Sequence, residues 1–279
     1  MKPILVATDY SDAAKNAADY AVKLSQITSS PVVLFHAWSL PVMSSETLVM
    51  PVTIEEIEKS QVTAIREEAR RLEKKFGIKP QVIQRAGFAA DEIGDCADEI
   101  KAGIVVMGIQ HKKKLERLLG SVATTFIHKN KVPVLLIPEH AAFVKPSVFL
   151  FATDLHTTSD WEEFDLLSEL ASRMKAEIHV LNAVPENQMA DASESNAGIK
   201  LEHHLKNIPH AWHFPDDGDV VHSIINTARS ISADWISVVP HHLSWIKQLF
   251  HNSVTNRIAF EADCPILTLP EHHAQMNGE

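Results

Sequence analysis

Short apolar runs alternate along the chain with longer stretches in which apolar residues return every third or fourth position. That rhythm is strand and helix in alternation, and it predicts an α/β chain built on a parallel sheet. In the first half the strand-like runs are 3–8, 31–37, 81–85, 104–108 and 132–138. Between them Ala13, Ala17, Ala21 and Leu24 mark one helix. Thr53 and Glu56 form a T-x-x-E capping box. The helix it opens carries Ile57, Ile65, Ala69, Leu72 and Phe76 on one stripe and stops at Gly77. A third helix keeps Ile93, Ala97 and Ile100 inside. The second half repeats the order, with strands expected at 147–153, 177–184, 210–214, 235–239 and 264–270 and a helix on Trp161, Phe164, Leu167 and Leu170. Its second helix is weaker, because Glu186 to Gly198 is polar and reads partly as loop.

The two halves also match in letters. PILVATDYSD (Pro3 to Asp12) is answered by VFLFATDLHT (Val148 to Thr157), and KVPVLLIPE (Lys131 to Glu139) by DCPILTLPE (Asp263 to Glu271). GSVATTFIHKN from Gly120 lines up with NSVTNRIAFEA from Asn252, and IVVMG (Ile104 to Gly108) with ISVVP (Ile236 to Pro240) at the same offset. Self-similarity on this scale indicates two copies of one unit, spanning 1–142 and 146–279 and joined near Phe143 to Pro146.

Composition narrows the class. With 45% hydrophobic and 22% charged residues the chain is an ordinary globular one. No run is long and apolar enough for a membrane helix, and Asp9 interrupts the first apolar run too early for a secretory signal. Two cysteines, Cys96 and Cys264, make no disulfide framework, so a cytoplasmic location is expected. The net charge of −10 is unevenly spread, at +1 over residues 1–144 and −11 over 145–279, and 12 of the 16 histidines fall in the second part. Such a chain is no general nucleic-acid binder, and an anionic ligand would favour the first half. Glycine is scarce, and neither the P-loop nor the G-x-G-x-x-G pattern occurs.

In an open parallel sheet, ligands bind beyond the carboxyl ends of the strands where strand order reverses. Three first-half segments bring chemistry there: Thr8-Asp9-Tyr10-Ser11, the run Met107 to Lys114, and Gly120-Ser121-Val122 at a helix start. A helix N-terminus offers unpaired N–H groups to an anion, and Lys112, Lys113 and Lys114 add charge. Plainer roles stand beside these. Asp9 and Asp154 would cap their turns, Ser11 and Thr157 would cap helices, and the lysines would form a solvated loop. The histidine pairs, at 203–204, 241–242 and 272–273, together with His210, His213 and His251, are weak metal signals, and no metal is expected, because adjacent side chains on an extended segment point apart. Cys96, flanked by Asp95 and Asp98, would have a raised thiol pKa, and Cys264 reads as packing.

ILVATDYSD, the I-V-V-M-G strand and the GSV…VPVLLIP ending resemble the universal stress protein family, here as a tandem pair. The resemblance implies two five-stranded parallel-sheet α/β sandwiches of strand order 3-2-1-4-5, an adenine nucleotide alpha hydrolase-like fold. One branch of that family binds ATP through G-x2-G-x9-G-[ST]. Carried over, this implies nucleotide-binding roles for Ala7, Asp9, Met107, Gly108, Gln110, His111, Lys112, Gly120, Ser121 and Val122. Two departures stand out: His111 replaces the second glycine, and eight residues (112–119) stand where nine are expected. In the second half Asp154 is kept, while Pro240 and Asn252 replace the outer glycines. The resemblance also implies that the domains pair through 132–138 and 264–270, with a further homodimer left open. The expectation is a cytoplasmic regulatory or binding protein that takes ATP or a related nucleotide in the first domain and is not a dedicated enzyme. A nucleotide-free scaffold and a weak ATPase or nucleotidyl transferase are the alternatives.

Overall fold

A computed structural model describes residues 2–39, 53–110, 121–129, 132–153, 155, 164–182, 196–214, 219–239 and 264–270. The first half runs β1 (Ile4–Ala7), α1 (Asp12–Thr28), β2 (Val32–Trp38), α2 (Ile54–Phe76), β3 (Gln81–Ala86), α3 (Ala89–Glu99), β4 (Ile104–Ile109), α4 (Ser121–Lys129) and β5 (Val134–Pro138). The second runs β6 (Val148–Thr153), α5 (Phe164–Met174), β7 (Glu177–Asn182), α6 (Asn196–Leu205), β8 (His210–His213), α7 (Val220–Ser230), β9 (Trp235–Val238) and β10 (Ile266–Thr268). The end strands β5 and β10 are shorter than expected. Each starts just after a proline, Pro133 or Pro265, which has no N–H to give a ladder.

Local chemistry sets the helix ends. The Ser11 hydroxyl accepts the Ala14 N–H and caps α1, as expected. Thr53 and Glu56 form the full reciprocal box on α2, and Gly77 at φ 71° closes that helix in the left-handed conformation only glycine adopts without cost. Phe164, Leu167 and Leu170 are buried on α5, while Trp161 and Thr157 lie outside the described residues.

The strands form one sheet in the order β3-β2-β1-β4-β5-β10-β9-β6-β7-β8, so each half has the order 3-2-1-4-5. Every neighbouring pair is parallel except β5 and β10, which run antiparallel with Leu136 opposite Ile266 and Val134 opposite Thr268. One antiparallel joint has a geometric consequence: the carboxyl rims of the two halves open at opposite ends of the sheet. α1, α2, α5 and α6 bury the core on one face, and α3, α4 and α7 bury the core on the other.

Further contacts bind the halves. The Trp235 indole N–H donates to the Tyr20 hydroxyl at 2.6 Å, with both rings almost fully buried. Tyr20 also meets Phe143 edge-on at 4.7 Å, and Lys23 lies over that ring. The Asn16 amide donates to the carbonyls of Pro138 and Ala141, tying the joining segment to α1. On the outer side of α1, Arg71 from α2 reaches Asp19 at 2.8 Å and the buried Glu68 at 2.7 Å.

Candidate functional site

Strand order reverses between β1 and β4. Ala7 lies opposite Met107, so Thr8-Asp9 leaves β1 at the carboxyl rim beside Gly108, the last residue but one of β4. α1 springs from the first of these ends and α4 follows the second, on opposite faces. The rim is therefore the crevice at which ligands bind in such sheets.

The turn after β1 is tightly specified. The Thr8 hydroxyl accepts the Tyr10 N–H at 3.0 Å, and the Asp9 carboxylate accepts the Ser11 N–H at 3.0 Å. Asp9 is thus a turn cap, the plainer of its two expected roles, and it remains exposed at the rim. Tyr10 sits at φ 65°, unusual for a bulky residue, with its ring 4.5 Å from that of His36. Burial, with Glu68 nearby, pushes its phenol up to about 12. His36 Nδ1 is 2.7 Å from the Thr8 carbonyl oxygen. A carbonyl only accepts, so this nitrogen carries the proton. Sequence reasoning missed Tyr10 and His36 as a pair; the signal available was an aromatic directly after the aspartate and a histidine near the end of an otherwise apolar strand.

Gly108 has a demanding neighbour. A methyl group added there would lie 2.3 Å from the Ala13 carbonyl oxygen and 2.7 Å from Ala14 N. The first turn of α1 rests on this glycine, so its small size is required by packing before any ligand is considered. Ala7 is half-buried, Met107 is buried and Gln110 is exposed. Ser121 opens α4, with Val122 part-exposed beside it. His111, Lys112 and Gly120, with Lys113 and Lys114, lie outside the described residues.

The second half repeats the turn and alters the crevice. Thr153 accepts the Leu155 N–H, and Leu155 has φ 57°, copying Thr8 and Tyr10. Asn182 pairs with Thr153 and stands where His36 does. Ala152, the counterpart of Ala7, lies opposite Val238, which makes Val238 the counterpart of Met107. Val239, fully buried, therefore occupies the place of Gly108. Matching the letters of the two halves sets Pro240 there, one residue too late, because a one-residue shift between β9 and β10 is invisible in two apolar runs. Asp154, Pro240 to Asn252 and the pair at 272–273 are outside the described residues.

Among the described residues no histidine, cysteine or carboxylate group of three or more is placed to hold a metal. His210 and His213 have separate partners, Glu202 and His179. Burial first, then Glu99, holds the Cys96 thiol above its ordinary range against the lowering effect of Arg85, so the cause differs from the flanking aspartates expected. Among the described residues no helix is long and apolar enough to cross a membrane.

The universal stress protein family model matches residues 1–138. A universal stress protein of Methanocaldococcus jannaschii is 30% identical over 143 residues, which are 49% of this chain and 81% of that protein. The chain belongs to the universal stress protein family. Among solved structures, a universal stress protein from Archaeoglobus fulgidus superposes with a TM-score of 0.74 at 18% identity, over 97% of this chain and 98% of that one. A functionally unknown protein from Pseudomonas aeruginosa PAO1 gives 0.55 at 16% identity, over 97% and 92%. At these identities the likeness shows the fold, and it extends over both halves.

Proposed function

We propose that the first half binds ATP or a related nucleotide at the β1–β4 rim and that the protein acts by binding rather than by turnover. The observation that carries this reading is the meeting of an exposed carboxylate, Asp9, with Gly108, the last residue but one of β4, where strand order reverses. Asp9 would face the ribose or base, and the N–H groups opening α4 would face phosphate. The second half has Val239 where the first has Gly108 and carries most of the negative charge, so one site per chain is expected, with the second half as internal partner. Asp9 and Ser11 are each held by a backbone N–H, of Ser11 and of Ala14, which fixes the turn that would present the carboxylate to a ligand. The cytoplasm remains the expected compartment.

Calorimetric titration of the full chain with ATP tests this. Saturable heat at one nucleotide per chain, lost in Gly120→Arg, is the expected result. Absence of heat would leave the nucleotide-free scaffold as the reading, and turnover above the buffer blank would make the protein an enzyme.

A further inference from the structure

Comparison of the halves locates a histidine cluster in what is elsewhere apolar core. Register places His179 of β7 where β2 has Val33, and His213 of β8 where β3 has Ile83. Val33 is buried and Ile83 packs on the same core, under α3. In the second half the corresponding side chains bond each other: His179 Nδ1 lies 2.7 Å from His213 Nε2, with the rings stacked at 5.0 Å. On its other side His179 Nε2 meets the Glu177 carboxylate at 3.1 Å. Among the described residues β8 is the outer strand of the sheet, with β7 as its one strand neighbour.

We propose that Glu177, His179 and His213 form an acid-sensitive clasp that holds β8 to the sheet and lets it go when a second proton enters the imidazole pair. The chemistry follows from the geometry. The short nitrogen–nitrogen contact needs one proton between the rings. With both rings neutral, His213 donates to His179. With one proton added to the pair, the rings still share one N–H···N bond, with the Glu177 carboxylate at its far end. With two, N–H opposes N–H and two like charges lie within hydrogen-bond distance. The pair therefore titrates in two steps, and only the second breaks it. Burial, with His179 adding its charge, keeps His213 below the ordinary histidine range. A released strand takes up that proton more readily, so the closed form loses ground as pH falls below about 6.5.

The other ionisable groups near the pair are few among the described residues. α7, which covers this face, brings Asp219, His222 and Arg229. On this face β6 presents Val148, Leu150 and Ala152. On the opposite face Glu202 of α6 accepts from Trp212 Nε1 and His210 Nε2, both at 3.0 Å. His210 Nδ1 also faces the Ile208 carbonyl, and both contacts are ones in which a ring nitrogen can donate. Asp216 and Asp217 follow in the chain, outside the described residues.

Hydrogen exchange by mass spectrometry on the full chain, corrected for intrinsic rates, reads the clasp directly. If closed β8 excludes the second proton, opening gains up to about 30-fold at pH 5 from an ordinary histidine pKa of 6.5. We expect protection of 210–213 to fall at least tenfold between pH 7.5 and 5, while β3 and β6 keep theirs. The double variant His179→Val/His213→Ile restores the first half's residues and should remove the acid response. His213→Gln, which keeps a hydrogen-bonding group and takes no proton, should do the same and decides the matter should the double variant fail to fold. Loss of protection in β6 together with β8, or an acid response surviving in His213→Gln, would overturn the proposal.

Discussion

Gly108→Ala is the substitution whose cost the structure defines most sharply. The new methyl would stand 2.3 to 2.7 Å from backbone atoms of Ala13 and Ala14, where ordinary contact needs about 3.4 Å or more. Backbone in a helix cannot swing aside as a side chain can, so the first turn of α1 must retreat by about 1 Å. That helix lies close because Ala13, Ala14, Ala17, Ala18 and Ala21 are small and buried, and its retreat would open gaps along the row. Overpacking of this kind costs about 2–3 kcal/mol. Replacing a strand glycine recovers about 0.5–1 kcal/mol through the unfolded chain. The net expectation is a loss of about 1–2 kcal/mol, with weaker nucleotide binding because α1 carries the Asp9 turn with it. Urea unfolding followed by circular dichroism measures the first effect, and Gly103→Ala is the control, since its methyl would meet the Lys2 side chain at 3.0 Å near the chain terminus. A change below about 0.5 kcal/mol at Gly108, or a gain, would refute the packing argument.

Three further outcomes are expected. The chain has two tyrosines, and burial raises both phenols, Tyr10 to about 12 and Tyr20 further. Absorbance at 295 nm should therefore show no tyrosinate at pH 10.5 while the fold persists, and stability should decline as pH rises past 10, where the unfolded chain ionises first. Half-titration at pH 10 in folded protein would contradict this. Tyr20→Phe strands the buried Trp235 N–H and should cost about 1–3 kcal/mol, whereas Tyr20→Phe/Trp235→Phe, which removes both polar groups, should recover part of it in a double-mutant cycle. Thr53→Ala removes one side of the α2 capping box and should cost about 1 kcal/mol by thermal unfolding, with little effect on nucleotide heat.

The sheet was legible because each strand is a compact apolar run between turn signals and the chain states the pattern twice. Ser11, Thr53 and Gly77 were legible because capping is local in sequence. What stayed hidden depends on contacts between distant segments. Tyr20 and Trp235 are far apart in the chain and look like ordinary core residues until β5 meets β10. The role of Gly108 could be read only as room for a ligand, since nothing in the letters says that a helix rests on it. His179 escaped notice and His213 was weighed only beside His210 as a metal signal, because adjacent and near-adjacent histidines drew attention instead. The signal was there in E-I-H-V-L-N and H-A-W-H, where a histidine occupies the inward phase that Val33 and Ile83 hold in the first half. The candidate site was half legible: Asp9 and Gly108 do come together, while Tyr10 and His36, which hold the turn, needed the fold.

The central claim is that one rim of the two, the β1–β4 rim of the first half, takes nucleotide. Photolabelling the full chain with 8-azido-ATP and mapping the adducts by mass spectrometry addresses it most directly. The account predicts ATP-competable labels on peptides spanning 7–15 or 107–122 and none on 152–166 or 239–252. Competable labelling of the second-half peptides, with the first-half rim untouched, would contradict it.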